Sequence, residues 1–406
     1  MGTSVYEQAD QAKTILDGVR QAGGDPDALL ERLRAWQIET PSWGFADAGT
    51  RFGTWKQASA ARTIDEKLAD AGQVHKYTGI CPTVAVHVQW DFPDGFDRKV
   101  LTVAEAAGVK IGAINPNLFQ DQCYKFGSLA SPDRAAREQA VRHCLDSIEI
   151  GRQTESQVLS LWLADGTNYP GQDDIVERKH RLAESLRQIH DAMPASMLLL
   201  VEYKPFEPAF YHTDIADWGM ATVLARQAGE RALVLVDTGH HYQGQNIEQI
   251  VAWLIDERML GGFHLNDRKY ADDDLTIGSI DPYQMFRIFD QIVAAEQRLG
   301  QTLPIAYMID QSHCIKNKVE ATIQTVSLAH ELLAKALLVD RGALRDAQAT
   351  GDVVGAEQTL RGAFFIDTRP LIGYVRQQMQ LEADALAAFR ASGYDERAAK
   401  SRRGSA

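Results

Sequence analysis

The sequence predicts an α/β protein built as a (β/α)8 barrel of the TIM type, with N-terminal helices and a C-terminal helical extension. Three observations predict it. Eight short β-rich runs alternate with longer amphipathic stretches from about residue 38 onward. Several runs are continuously apolar, as in strands covered on both faces. Ligand-type polar residues recur at the carboxyl ends of the runs, where barrel chemistry collects.

The runs are "ETPSWGFAD" (39–47), "CPTVAVHVQWD" (81–91), "VKIGAINPNLF" (109–119), "VLSLWLADG" (158–166), "MLLLVEYKP" (197–205), "ALVLVDTGHH" (232–241), "GGFHLND" (261–267) and "LPIAYMIDQSH" (303–313). The segments between them carry helix-end signals. "SPDRAAREQAVRHCLDSIEIGRQ" opens with Ser131 as N-cap and Pro132 at the first helical position. "DPYQMFRIFDQIVAAEQRLG" repeats the device with Asp281 and Pro282 and stops at Gly300. "TDIADWGMATVLARQAG" starts at Thr213 or Asp214 and stops at Gly229. Eight strand–helix units favour one closed parallel barrel over two separate sheets.

The predicted division is residues 1–37 as two short helices split by "GGDPD", residues 38–316 as the barrel, and residues 317–406 as a helical extension. Breaks are expected in the extension at "TGD" (350–352) and "DTRP" (367–370). Its apolar stripes call for a partner surface, on the barrel or on another subunit. The closing "RAAKSRRGSA" reads as a frayed basic tail.

Composition narrows the function. The chain has 406 residues and a formal charge of −13, so its field repels phosphate backbones and nucleic acid is a poor partner. Cys81, Cys123, Cys144 and Cys314 show no C-x-x-C spacing, which points to neither a thiolate zinc site nor a disulfide framework. No apolar run is long enough to span a bilayer, and "MGTSVYEQADQAK" lacks the marks of a secretory signal. A cytoplasmic, reduced protein with no membrane partner is the expectation.

The polar strand ends carry the chemistry. Run two ends near His87 and run four in Trp162 and Asp165. Run five ends in Glu202 and Lys204, and run six in Asp237 and His240. Run seven ends in His264, and run eight in Asp310 and Ser312. One such group alone is a satisfied core polar residue; on four successive strands they point to a shared ligand, because charge inside a barrel is costly unless paired or bound to metal. Two-residue periodicity puts Glu202 and Lys204 on the same face. Gly239 lets the backbone turn so that His240 points back to the centre. In "HLNDRKYADDDL" an extended loop would put Asp272 and Asp274 on one face and turn Asp273 away. The counts suit two divalent cations, one on Glu202, Asp237, His264 and Asp310 and the other on His240, Asp272 and Asp274. Oxygen-rich ligands with some imidazole favour Mn²⁺, Mg²⁺ or Co²⁺, with zinc still open.

"VEYKP", "VDTGHH", "FHLNDRKYADDDL" and "MIDQSH", in this order and spacing, resemble the L-rhamnose isomerases, above all the bacterial branch with broad aldose–ketose specificity. Glu-x-Lys, a carboxylate three residues before His, and Asp-x-Asp are more distantly similar to xylose isomerase. The resemblance implies a structural metal on the first set of ligands and a catalytic metal, Mn²⁺ foremost, on the second. It further implies that Trp162, His87, Trp90 and Ser312 line a monosaccharide pocket, that Lys204 contacts the reacting oxygens, and that Phe52 in "TRFGTW" closes the site of a neighbouring subunit in a homotetramer.

The reaction so implied moves hydrogen between C1 and C2 of an open-chain aldose, L-rhamnose to L-rhamnulose, with D-allose and D-psicose as a related pair. Asp310 holds the proton exchanged between O1 and O2, Lys204 stabilises charge on the carbonyl oxygen, and His87 helps open the ring; the carbon-bound hydrogen passes as hydride or through a cis-enediol. Structural alternatives stand beside these roles: Lys204 as an ion pair with Glu202, His87 as a buried satisfied histidine, Trp90 and Trp162 as barrel packing. The competing classes are a metal-dependent phosphodiesterase, a sugar epimerase, disfavoured because Glu202 is the only strand-end glutamate, and a sugar-binding protein without turnover.

Overall fold

The computed structural model describes residues 5–50, 52–207 and 212–402. All eight runs form strands of one parallel sheet: β1 (Thr40–Pro41), β2 (Thr83–His87), β3 (Lys110–Asn115), β4 (Val158–Leu161), β5 (Leu198–Glu202), β6 (Ala232–Asp237), β7 (Leu260–Leu265) and β8 (Ala306–Ile309). Neighbours pair in sequence order from β1 to β8. A parallel bridge between Glu39 and Met308 then closes the ring, with Glu39 N–H donating to the Tyr307 carbonyl at 2.8 Å and Ile309 N–H to the Glu39 carbonyl at 3.0 Å. β1 is short because the chain turns at once into a 3-10 segment, Ser42–Phe45.

Ala85, Ala113, Leu200, Leu235 and Met308 fill the barrel interior, while a far larger apolar layer lies between strands and helices. A helix follows each strand. The eighth place in the outer ring is taken by Lys318–Leu337, packed between Pro282–Leu299 and Ile64–Thr78. That helix belongs to the last strand–helix unit, although the sequence division placed it in the extension.

Two helix starts differ from expectation. The helix after β3 begins at Arg134, capped by Asp133, whose carboxylate accepts from Ala135 N–H at 2.9 Å; Ser131 instead accepts from Asp133 N–H. The helix after β5 begins at Trp218 with Asp217 as cap. Thr213 and Asp214 are committed elsewhere: the Thr213 hydroxyl donates to the Lys204 carbonyl, and Asp214 pairs with Arg178 at 2.7 Å. Asp281, Pro282 and Gly300 bound their helix as the sequence indicates, Gly300 at φ +66°.

The N-terminal helices are Val5–Gln21 and Pro26–Ala35. Beyond residue 340 lie Arg341–Thr350, Val353–Phe365, Arg369–Gln378, Ala385–Ala391 and Tyr394–Arg402, broken at both expected sites. The extension packs back on the barrel: Phe389 is buried and meets the Tyr77 ring at 5.8 Å. The tail is not frayed as far as residue 402. Arg402 is only 4% exposed, and its guanidinium donates to both oxygens of Asp70, at 2.8 and 3.0 Å. A cation with a buried partner is held; one facing water frays.

Candidate active site

A cavity of about 510 Å³ opens at the carboxyl end of the barrel strands. A larger groove, about 730 Å³, lies between the first helix and the outer ring; among the described residues, the groups that could hold a metal ion lie at the strand ends instead.

Strand register brings the acids and imidazoles together. Asp237, ending β6, is the direct neighbour of His264 on β7. Glu202 closes β5 with its carboxylate between two imidazoles: Oε1 lies 3.2 Å from His240 Nδ1, and Oε2 lies 3.2 Å from His264 Nδ1. Asp237 Oδ2 stands 3.8 Å from His264 Nδ1 and 4.0 Å from His240 Nε2, and Asp310 Oδ2 stands 3.9 Å from His264 Nδ1. His240 Nε2 meets Asp272 Oδ1 at 2.8 Å. Asp274 lines the same cavity.

All seven expected ligand positions therefore lie close together at the barrel mouth. Glu202, Asp237 and His240 have ligand atoms within 4.8 Å of one another, as do Asp237, His264 and Asp310, so Asp237 is common to both groups. The Asp272–Asp274 loop is not extended: Asp272 and Asp274 sit in the left-handed region at φ +53° and +48°. Asp273 points outward and caps its own loop, accepting from Lys269 N–H at 2.5 Å and Tyr270 N–H at 2.6 Å. The three adjacent aspartates thus have two duties, one turning the loop and two facing the cavity.

Burial and mutual charge set the protonation of this cluster. Burial opposes ionisation of Glu202, yet His264 and His240 beside it bring its carboxyl down to about 2. Asp237 goes the other way, to about 7, because burial is joined by repulsion from Glu202 and Asp310, and its nearest imidazole is farther off. Burial disfavours the charged form of His264, but Glu202 raises it to about 9. Burial and neighbouring carboxylates raise Asp274 and Asp310, whereas His240 holds Asp272 below its usual range despite burial.

The cluster has the mark of a cation site. Both ring nitrogens of His264, Glu202 Oε2 and Asp274 Oδ1 are buried with no hydrogen-bond partner among the described residues. The 3.2 Å separation of His264 Nδ1 and Glu202 Oε2 is a contact without hydrogen-bond alignment. Such atoms are costly to bury unsatisfied, and they are the donor types a hard divalent ion takes. Outer partners already hold the ligands in place. Asn266 Nδ2 donates to Asp237 Oδ1 at 3.1 Å, Gly239 N–H reaches the same oxygen at 2.7 Å, and the Tyr203 carbonyl lies 3.1 Å from His240 Nδ1.

Lys204 projects into the cavity, but its partners are Asp272 at 2.5 Å and Glu207 at 2.8 Å rather than Glu202. Burial works against its charge, yet Asp272 and Glu207 raise its pKa, so it stands as a permanent cation. Its ammonium also lies 5.0 Å from the centre of the Trp162 ring.

Another part of the cavity lining is aromatic. His87 meets Trp90 at 4.3 Å and Trp43 at 4.7 Å, and Phe119 bridges Trp90 and Trp162 at 5.8 and 5.0 Å. Burial lowers His87 to about 3, leaving a neutral imidazole whose Nδ1 has no hydrogen-bond partner among the described residues. Ser312 lines the cavity. Phe52 does not line it; this residue is 83% exposed between the short strands Ala48–Thr50 and Gly53–Trp55. Asp165 also lies elsewhere, binding Ser128 N–H at 2.6 Å and Ala130 N–H at 3.0 Å to shape a loop.

Sequence reasoning missed Trp43, Lys67, Phe119, Glu207 and Asn266. Trp43, Phe119 and Glu207 fall at or just past strand-end runs already marked, and Asn266 sits two residues after His264; same-face spacing was the available signal for the last. Nothing in the sequence marks Lys67, which reaches in from a helix.

The xylose isomerase-like TIM barrel family matches residues 68–295. This chain belongs to that family. The xylose isomerase-like barrel is 38% identical to a probable sugar isomerase of Rhizobium meliloti, over 96% of this chain and 92% of that one. A probable sugar isomerase of Mesorhizobium japonicum is also 38% identical, over 93% and 88%. The xylose isomerase of Thermus thermophilus is 23% identical over 59% and 67%. Solved structures share the fold. D-psicose 3-epimerase of Clostridium cellulolyticum superposes with a TM-score of 0.50 at 13% identity, over 75% of this chain and 98% of that one. An L-ribulose 3-epimerase superposes with 0.51 at 13%, over 82% and 98%. Among the described residues, no helix of this sugar isomerase-type barrel is long and apolar enough to cross a membrane.

Proposed function

We propose that the chain is a metal-dependent aldose–ketose isomerase that converts L-rhamnose to L-rhamnulose and takes related aldoses such as D-allose, giving D-psicose. One observation carries the reading: six carboxylate and imidazole side chains line one cavity and Asp237 stands against two of them, with buried ligand atoms unsatisfied and a charged lysine beside them. Glu202, Asp237, His264 and Asp310 would hold one divalent ion, and His240, Asp272 and Asp274 a second, with Asp237 between them. Mn²⁺ is the first choice by ligand chemistry, with Mg²⁺, Co²⁺ and Zn²⁺ as alternatives. When bound, such ions supply Lewis acidity that polarises a carbonyl.

The protein's own groups do the rest. The aromatic wall of Trp90, Phe119 and Trp162 receives the C–H face or methyl group of the sugar. Neutral His87 hydrogen-bonds a hydroxyl or the ring oxygen on that side. Lys204 stabilises negative charge developing on the carbonyl oxygen. Asp310 accepts the O2 proton and returns it to O1, while the hydrogen on C2 passes with its electron pair to C1. Aldose and ketose are isomers, so no redox partner is consumed. In a homotetramer, Phe52 would reach over the cavity of a neighbouring subunit. The cell compartment that fits is the cytoplasm.

A second reading, sugar epimerisation, is favoured by Glu207, which supplies a glutamate beside Glu202 in the cavity. Its pairing with Lys204 weighs against use as a free base. Phosphodiester hydrolysis is disfavoured, because the lysines lining the cavity, Lys67 and Lys204, are both paired with carboxylates. The test strips the protein with chelator, restores Mn²⁺, and measures ketose from L-rhamnose and D-allose. Ketose formation supports isomerisation. Epimerised ketose with no aldose turnover would move the assignment to the second reading.

A further inference from the structure

The two oxygens of Asp310 have different neighbours. Oδ1 accepts a hydrogen bond from the indole N–H of Trp43 at 2.8 Å, whereas Oδ2 faces the ligand cluster, 3.9 Å from His264 Nδ1. The two residues are 267 positions apart in the chain.

The turn that carries the indole is held from three sides. Its neighbour Ser42 donates to Asp91 Oδ2 at 2.6 Å, and that buried carboxylate also takes Lys67 Nζ at 2.5 Å and His87 N–H at 2.8 Å. The Trp43 ring meets the His87 ring at 4.7 Å and 66°. Gly44 seats the turn against the segment after Asp310: a Cβ there would stand 3.1 Å from the Gln311 carbonyl oxygen. The turn that carries Trp43 is therefore pinned to the strand end that carries Asp310.

We infer that Trp43 is a positioning residue that divides the Asp310 carboxylate, holding Oδ1 on the indole so that only Oδ2 is presented to the cation cluster. The physical basis is the asymmetry of the two groups. An indole N–H only donates, and a carboxylate only accepts, so the pair has a single polarity. The terminal torsion of aspartate is otherwise broad and roughly two-fold, leaving both oxygens free to turn toward a cation. The inference rests on Asp310 being a ligand, as proposed above.

The test measures Mn²⁺ binding to chelator-stripped protein by titration calorimetry, alongside circular dichroism and thermal unfolding. The proteins are wild type, Trp43→Phe, Asp310→Asn and the double variant. Phenylalanine keeps an aromatic ring and removes the donor. The expected result is a loss of about tenfold or more in Mn²⁺ affinity for Trp43→Phe, and less than about twofold for the same change in the Asp310→Asn background. Ser42→Ala, which frees the turn but keeps the indole, is the second variant should Trp43→Phe not fold. It should weaken binding in the same direction and lose its effect when Asp310 is Asn. Equal losses in both backgrounds, or unchanged Mn²⁺ affinity in folded Trp43→Phe, overturn the inference alone. Wild-type protein that takes no Mn²⁺ overturns the proposed function as well.

Discussion

His240 bridges two parts of the fold: its Nε2 lies 2.8 Å from Asp272 Oδ1, and its Nδ1 lies 3.1 Å from the Tyr203 carbonyl. The ring is thereby oriented by the residue just after β5 on one side and by the loop after β7 on the other. With Nδ1 turned to a carbonyl, Nε2 is the nitrogen aimed at the ligand cluster, the arrangement that outer partners impose on a metal-binding histidine.

Asp274→Asn should abolish turnover while the fold survives. Asparagine tolerates the left-handed backbone at position 274 and keeps the side-chain shape, but it is a far poorer ligand. Aldose conversion is expected to fall by more than about a hundredfold, beyond the effect typical of outer-partner changes. Wild-type rates in this variant would mean that the second cation site is misassigned.

Removing divalent ions should lower stability as well as activity, because the buried acids then repel one another without compensation. Restoring Mn²⁺ to a hundred times its dissociation constant should return about 2.7 kcal/mol per site. Thermal unfolding with and without Mn²⁺ reads this directly. An unfolding midpoint indifferent to chelator and to Mn²⁺ would count against a cation in the cluster.

Lys204→Met separates a functional lysine from a structural one. If Lys204 serves substrate, the variant stays folded, still binds Mn²⁺, and loses on the order of a hundredfold or more in turnover, the scale of removing one charge-stabilising donor. If the ammonium chiefly offsets Asp272 and Glu207, calorimetry should instead show Mn²⁺ affinity and the unfolding midpoint moving together while turnover per loaded site is kept.

Asp70, buried against Arg402, gives a pH dependence remote from the cavity. Burial raises its carboxyl to about 6, against the opposing pull of Arg402 and Tyr394. A carboxyl whose folded pKa lies above its unfolded value contributes fully below about pH 4, and that contribution is lost as pH rises through about 6. A rise from the ordinary 3.8 to about 6 corresponds to about 3 kcal/mol. Asp70→Asn should therefore compare more favourably with wild type at pH 7.5 than at pH 4.5 in denaturant titrations. The reverse trend would show that the Arg402 pair outweighs the cost of burial.

Much of the fold was legible because buried parallel strands are continuous apolar runs, and each of the eight runs contains a strand. The convergence of Glu202, Asp237, His240, His264 and Asp310 was legible for a related reason: strand ends in a parallel barrel all point to one mouth. Helix starts were less so. Thr213 and Asp214 look like caps locally, yet one is taken by the Lys204 carbonyl and the other by Arg178. Arg402 looked like tail until Asp70, 332 residues earlier, was seen to hold it.

The order of strands and helices, and the residue types brought to the barrel mouth, were written in local pattern, because side-chain periodicity and apolar runs act over a few residues. Tertiary structure alone decided that Asp237 stands within 4.8 Å of both clusters of acids and imidazoles, that Lys204 pairs with Asp272 and Glu207, and that the Trp43 indole donates to Asp310. Those relationships depend on placing side chains within a few ångströms of one another, most of them on segments far apart in the chain, and such placement is set by how the whole ring closes.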